Sequence, residues 1–266
     1  MNYLIDYHIH TRLSNDSNAD PFEVCEAAVK AGLNEIALTD HCEFGPKYPG
    51  FADHKECQKI LEACRSKFGD KLTIRAGIET GDVHLFMDKV KDILNAFDYD
   101  FVIGSAHYGF GLKPAWEKEF FDVGRREAFE GYFKQVDVLA KVGDFDILGH
   151  IDLIKRDAFK HGVEYDGPKP YEHIIRSILK SIIERGKGLE INTSPLRRGL
   201  QEPCPDQEIL KWYHEMGGSI ITFGSDAHKP ADVGADIRKM MRLAKSIGFK
   251  TFATFERRKL KLIKIF

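Results

Sequence analysis

Residues 3–16 read YLIDYHIHTRLSND. An apolar, β-favouring run gives out in two histidines spaced two apart, and an acid follows. Side chains alternate along an extended backbone, so His8 and His10 project to the same side and can converge on one object. The question is whether other strands of the chain end in the same way.

They do. Working outward, short apolar runs alternate with segments of helical period. Strands are predicted over Tyr3–Tyr7, Glu35–Thr39, Leu72–Ile78, Phe101–Ser105, Ile147–Leu148, Gly188–Ile191 and Ser219–Phe223, with a further one at Thr251–Phe255. Between them, helices are predicted near Pro21–Ala31, Lys55–Phe68, Val83–Ala96, Arg125–Val142, Tyr171–Arg185, Gln207–Met216 and Ala231–Ile247. Asp20-Pro21-x-Glu23 reads as an N-cap, a first-turn proline and a capping acid, Gly32 closes that helix, and Asp53 with Glu56 repeats the capping pattern. Such alternation implies a parallel sheet with right-handed crossovers, and about seven units suffice to close a barrel. The fold class expected is therefore α/β, with residues 1–266 forming a single barrel domain. Two irregular pieces, Cys42–Phe51 and Gly109–Lys118, follow strands and would overhang one end of that barrel as substrate loops. The basic tail ERRKLKLIKIF (256–266) alternates lysine and leucine, which reads as an edge strand rather than a nucleic-acid patch.

Hydrophobic residues make up 43% and charged residues 30% of the chain, which excludes disordered and fibrous classes. A net charge of −2 gives no positive field to attract nucleic acid, so an anionic substrate would need a local cationic site. The start MNYLIDYHIH has no basic leader or signal-like apolar stretch, and no later run approaches a membrane span, so a cytoplasmic protein without a membrane partner is expected. Five cysteines without C-x-x-C spacing argue against both a disulfide framework and a thiolate zinc site. The composition does not specify an oligomeric state.

Polar residues recur where the strands end. His8 and His10 follow the first, Asp40-His41 the second, Glu79 the third, His107 the fourth, His150 the fifth, Asn192 the sixth, and Asp226 with His228 the seventh. In a parallel barrel the carboxyl ends of the strands open on one face, so these residues are brought to one mouth. A lone histidine is more often a hydrogen-bonded, half-buried residue than a ligand. Six of them at strand ends have no packing explanation, whereas His54, His84, His161, His173 and His214 lie in or near helices and are read as structural. Imidazole and carboxylate without thiolate suit zinc, iron or manganese. His8, His10, Asp16, His41, Glu79, His107, His150, Asp226 and His228 are too many ligands for one ion, and they fit two or three.

The series HIHT (8–11), TDH (39–41), GIE (77–79), SAH (105–107), GHID (149–152) and SDAH (225–228) resembles, in order, the motifs of the polymerase-and-histidinol-phosphatase (PHP) family. That resemblance implies a distorted (β/α)7 barrel of the PHP type holding two or three divalent ions. Carried over by position, it assigns His8, His10, Glu79 and Asp226 to one ion. Glu79 with His107 and His150 would hold a second, and Asp16 with His41 and His228 a third. Asp16 stands where some members have histidine, so the third site departs from the family pattern. GHIDLIKR (149–156), EINTSPLRRGLQEPCP (190–205), DHCEF…YPGF (40–51) and TFERR (254–258) are similar to the histidinol-phosphate phosphatase branch. This implies hydrolysis of L-histidinol phosphate to L-histidinol and phosphate in histidine biosynthesis. The stretch HYGFGLKPAWEKEFF (107–121) departs from that branch.

Clustered cations lower the pKa of a bridging water, so that a metal-bridging hydroxide can attack, and they polarise a phosphoryl oxygen. Asp226, or His228 beside it, is the candidate catalytic group for the leaving-group proton. Phosphate favours the bidentate fork of arginine, and Arg156 and the Arg197-Arg198 pair follow strands, with Arg156 and Arg197 taken as the phosphate-binding pair. Glu43 reads as a surface acid, with contact to the substrate's ammonium or imidazole as the other reading. Three rival functions stay open: a phosphodiesterase or nuclease acting on nucleotides, or more broadly a PHP phosphoesterase acting on another small phosphate ester or nucleotide; an amidohydrolase-like C–N hydrolase; and a non-catalytic binding barrel. Balanced charge weighs against the first, the lack of a strand-end lysine against the second, and the complete ligand set against the third.

Overall fold

The strands of the central sheet are buried on both faces, as parallel strands covered by helices must be. In a computed structural model of the chain, which describes residues 3–47 and 49–266, these strands are β1 (Ile5–Ile9), β2 (Glu35–Leu38), β5 (Thr73–Gly81), β6 (Phe101–Ser105), β7 (Ile147–Leu148), β8 (Gly188–Asn192) and β9 (Ile221–Gly224), with β3 (His41–Glu43) and β4 (Gly50–Phe51) beside them. The sheet runs β1-β2-β5-β6-β7-β8-β9, with each neighbouring pair parallel. β9 returns to β1 through an Ile9–Ala227 bridge, in which the His10 N–H reaches the Ala227 carbonyl at 2.9 Å and the Asp226 N–H the His8 carbonyl at 2.8 Å. The result is a nearly closed seven-stranded parallel barrel, as the alternation and the resemblance implied.

Helices α1 (Pro21–Ala31), α2 (His54–Phe68), α3 (Met87–Ala96), α4 (Arg125–Val142), α5 (Ile154–Lys160), α6 (Glu172–Glu184), α7 (Ser194–Arg197), α8 (Gln207–Glu215) and α9 (Ile237–Ile247) fill the crossovers. The capping signals work as read. Asp20 accepts from the N–H groups of Phe22 and Glu23, Gly32 takes the left-handed conformation after α1, and Asp53 accepts from Lys55 and Glu56. α5 and the single turn α7 lie where no helix was expected. The expected helices Val83–Ala96 and Ala231–Ile247 each break into a short 3-10 turn followed by α3 or α9.

The expected loop Cys42–Phe51 is partly strand. β2 stops at Leu38, the chain kinks through Thr39-Asp40, and β3 resumes pairing with the second half of β5, His41 opposite Glu79. β4 then folds back on β3. The interruption is stabilised by Asp40, which accepts from the Thr11 N–H at 2.6 Å and the Ser14 hydroxyl at 2.9 Å. Tyr48, in the YPGF stretch, lies outside the described residues.

Among the described residues, the last expected strand pairs with no strand of the barrel sheet. β10 (Thr251–Glu256) and β11 (Lys259–Lys264) form an antiparallel hairpin packed against the barrel's amino-terminal end. There Tyr7 Oη accepts from the Phe255 N–H, the Arg257 N–H reaches Asp100, and the Arg258 guanidinium grips Asp144 and Asp146. The TFERR stretch is thus a structural closure. Among the described residues, no helix is long and apolar enough to cross a membrane.

Candidate metal centre

Glu79 organises the opposite end. It lies inside β5 rather than after it, wholly buried, and its two oxygens face different histidines. Oε1 accepts from the Ser105 hydroxyl at 2.6 Å and lies 2.9 Å from His150 Nε2 and 3.4 Å from His107 Nε2. Oε2 lies 2.9 Å from His41 Nδ1, 3.3 Å from His8 Nε2 and 3.6 Å from His10 Nε2. Asp226 Oδ1 closes the other side, 3.4 Å from His10 Nε2, 3.9 Å from His8 Nε2 and 3.5 Å from His228 Nδ1. Asp226 adopts φ +54°, a left-handed conformation that aspartate tolerates and that active sites commonly store. At the rim, Asp16 Oδ2 lies 3.0 Å from His228 Nε2 and 3.4 Å from His41 Nε2.

All nine sequence-selected ligand candidates therefore meet at one mouth. Their donor atoms form overlapping groups, each within 4.8 Å: His8, His10 and Asp226; His8, Glu79 and His150; His10, Asp16, His41 and His228; and His41, Glu43 and His107. Glu43 is the member the sequence reading missed. It is buried, not a surface acid, and its Oε1 lies 2.7 Å from His107 Nδ1. Asn192 stays outside the cluster, its amide committed to Glu190 and the Ser194 N–H.

Orphaned atoms test whether a metal fits. Among the described residues, His8 Nε2 and His10 Nε2 are buried without a hydrogen-bond partner, and His41 Nδ1 and Glu79 Oε2, though 2.9 Å apart, make no well-aligned hydrogen bond with each other or with any other group. Leaving several polar atoms bare in one place is costly unless something else satisfies them. The other ring nitrogens of two histidines are engaged: His8 Nδ1 with Glu190 Oε1 at 2.6 Å and His10 Nδ1 with Ser14 Oγ at 3.0 Å. That second bond fixes the ring so that Nε2 faces the cluster, as a ligating imidazole requires. The mixed nitrogen and oxygen donors fit divalent zinc, manganese or iron.

The electrostatics show the same need for positive charge. Burial opposes it, yet the charges of His8, His41 and His107 hold the Glu79 carboxyl well below its usual range. Asp226 is likewise held low by His8, His10 and His228 against the cost of burial. Without a metal, protons supply the balance. Burial disfavours the charged ring, but Glu190, Glu79 and Asp226 raise His8 well above the ordinary histidine value, and Glu79 and Asp16 lift His41 to about 10. His10, buried and beside His41 and His228, falls to about 3 and is neutral.

Beside the cluster is a cavity of about 380 Å3, lined in part by Trp116, Leu153, Arg156, Asp157 and Arg198. Arg156 Nη1 lies 3.4 Å from Asp226 Oδ2, so this arginine borders the cluster. Arg197 does not line the cavity. Its guanidinium donates to the Ser225 carbonyl at 2.6 Å and to Thr193 Oγ1, and it faces Asp232, which makes it a brace for the segment carrying Asp226. Its neighbour Arg198 takes the cavity position.

Residues 6–194 match the model of the PHP domain family. The chain belongs to that family. This PHP protein is 30% identical over 271 residues to the "Probable histidinol-phosphatase" of Deinococcus radiodurans, covering 98% of this chain and 99% of that protein. It is 29% identical over 262 residues to the histidinol-phosphatase of Lactococcus lactis subsp. lactis, covering 94% of each. The crystal structure of histidinol phosphate phosphatase from Lactococcus lactis, complexed with zinc, L-histidinol and phosphate, matches this PHP barrel with a TM-score of 0.86. The two share 26% identity, over 97% of this chain and 98% of that one.

Proposed function

We propose that this PHP protein is a cytoplasmic histidinol-phosphatase, hydrolysing L-histidinol phosphate to L-histidinol and phosphate in histidine biosynthesis, with residues 1–266 acting as one barrel unit. The observation that carries the reaction class is the set of orphaned imidazole and carboxylate atoms around Glu79 beside an arginine-lined cavity. The substrate is carried by full-length likeness to histidinol-phosphatases, one of them solved with L-histidinol and phosphate.

His8, His10, Asp16, His41, Glu79, His107, His150, Asp226 and His228 would hold two or three divalent ions, with Glu79 shared and Glu43 fixing the His107 ring. Divalent ions there would lower the pKa of a bound water and polarise the phosphoryl group. Arg156 and Arg198 bind the phosphate oxygens from the cavity wall. Asp226 Oδ2, facing Arg156 and the Ser194 hydroxyl, takes the proton of the attacking water and returns it to the leaving alkoxide, while the His228 ring is held beside it by its Nδ1 contact with the Asp226 backbone carbonyl. The test is phosphate release by the zinc- or manganese-loaded protein, comparing kcat/KM for L-histidinol phosphate, an aryl phosphate and a mononucleotide. A preference of several orders of magnitude for the first is expected. Equal, slow turnover of all three would refute the substrate.

A further inference from the structure

Among the described residues, the cavity holds one carboxylate outside the clustered groups of the metal centre. Its acids are Asp16, Glu43, Glu79, Asp157 and Asp226, and all but Asp157 belong to the clustered groups. Leu153 leads into α5, and with Arg156 and Asp157 it forms an i, i+3, i+4 set facing the cavity. Asp157 is buried, and its Oδ1 lies 3.4 Å from Arg156 Nε. A buried carboxylate beside one of the two cavity arginines partly cancels the charge that recruits phosphate. For a phosphatase selecting by its phosphate alone, that placement is counterproductive.

It makes sense for a substrate carrying a cation close to its phosphate. Resting on the histidinol-phosphatase reading, we infer that Asp157 is the specificity-determining residue that binds the substrate's primary ammonium group. In an amino-alcohol phosphate such as L-histidinol phosphate, the ammonium is two carbons from the ester oxygen. Its carboxylate partner must therefore adjoin the phosphate-binding arginine and stay clear of the metal ligands. Asp157, next to Arg156 in sequence and in contact with it, meets both conditions. Glu43, the other acid considered for this role, is held by His107 and lies 3.5 Å from His41. Trp116 supplies an aromatic wall of the same cavity, a surface that favours a cationic or imidazole-bearing group.

The test compares L-histidinol phosphate with its deamino analogue, 3-(imidazol-4-yl)propyl phosphate, on the same preparation of metal-loaded enzyme. The ratio of the two kcat/KM values cancels any inactive fraction, so a partly unfolded variant still reports. Asp157→Asn should lower that ratio by about 10- to 100-fold, as expected for one hydrogen bond to a charged group, and Asp157→Glu should restore part of it. If Asp157 merely orients Arg156, both substrates suffer alike, and an unchanged ratio overturns the inference while leaving the function intact. A parent enzyme that turns over the aryl phosphate but not L-histidinol phosphate removes the substrate reading and this inference with it.

Discussion

Glu190 provides the sharpest test of how the metal centre is oriented, because it lies behind the ligands. It sits on β8, 1% exposed, with Oε1 2.6 Å from His8 Nδ1 and Oε2 accepting from the His150 N–H at 2.8 Å. The Asn192 amide donates to both oxygens at 3.3 Å. Glu190→Gln keeps the volume but replaces one acceptor with a donor. If the new amide oxygen faces His8, its NH2 meets the His150 N–H and the Asn192 amide, donor against donor. If the amide flips, His8 Nδ1 loses its acceptor and the ring proton moves to Nε2, the atom aimed at Glu79 and Asp226. The first arrangement leaves a buried donor unsatisfied, at about 1–3 kcal/mol, whereas the flipped one keeps its bonds and instead protonates the nitrogen that a metal would take. For a chain of this size the unsatisfied donor lowers Tm by roughly 2–5 °C. The loss in metal affinity should be about 10- to 100-fold, the usual effect of removing a partner of a ligating histidine. The assays are thermal denaturation and zinc dissociation by chelator competition. Glu35→Gln is the control, since Glu35 is equally buried but bonded to Tyr3, Tyr7 and Arg75 at the far end of the barrel. It should lower Tm and leave zinc affinity alone. Equal zinc affinity in parent, Glu190→Gln and Glu35→Gln would refute the claim that Glu190 fixes His8 for a metal.

The two adjacent arginines should separate. Arg198→Ala is expected to raise KM at least tenfold with a smaller change in kcat, whereas Arg197→Ala, which loses the Ser225 brace, should lower Tm. The opposite pattern would return Arg197 to the phosphate site. Metal binding should also depend on pH with a definite sign. His41 is raised to about 10 in the metal-free fold, above its unfolded value near 6.5, so its contribution to metal-free stability is full below 6.5 and lost as pH rises through 10. A metal must displace that proton, so the Tm gain from added zinc should be larger at pH 8.5 than at pH 6.5, with protons released on binding. A pH-independent gain would argue against ligation by His41.

What the sequence disclosed and what it concealed divide along the range of the interactions involved. Strand ends and helix caps depend on residues a few positions apart, so the β–α alternation and the nine ligand candidates were legible. The ligands share one mouth only because parallel strands all end there. Glu43 and Glu190 looked like ordinary acids because their partners are 64 and 182 residues away. The break in β2 at Thr39-Asp40 depends on Thr11 and Ser14, which no pattern within residues 35–43 reveals. Arg197 and Arg198 differ by one step around the end of a single helical turn, a phase that a four-residue helix cannot display in its sequence. The motif series itself mixes two kinds of residue. HIHT, GIE and SDAH serve the carboxyl ends of the strands, whereas TFERR anchors to Asp100, Asp144 and Asp146 at the amino ends. In a barrel the first location carries chemistry and the second stability. A motif's place along its strand, rather than its resemblance to a family, therefore decides which of its residues should change activity and which should change only Tm.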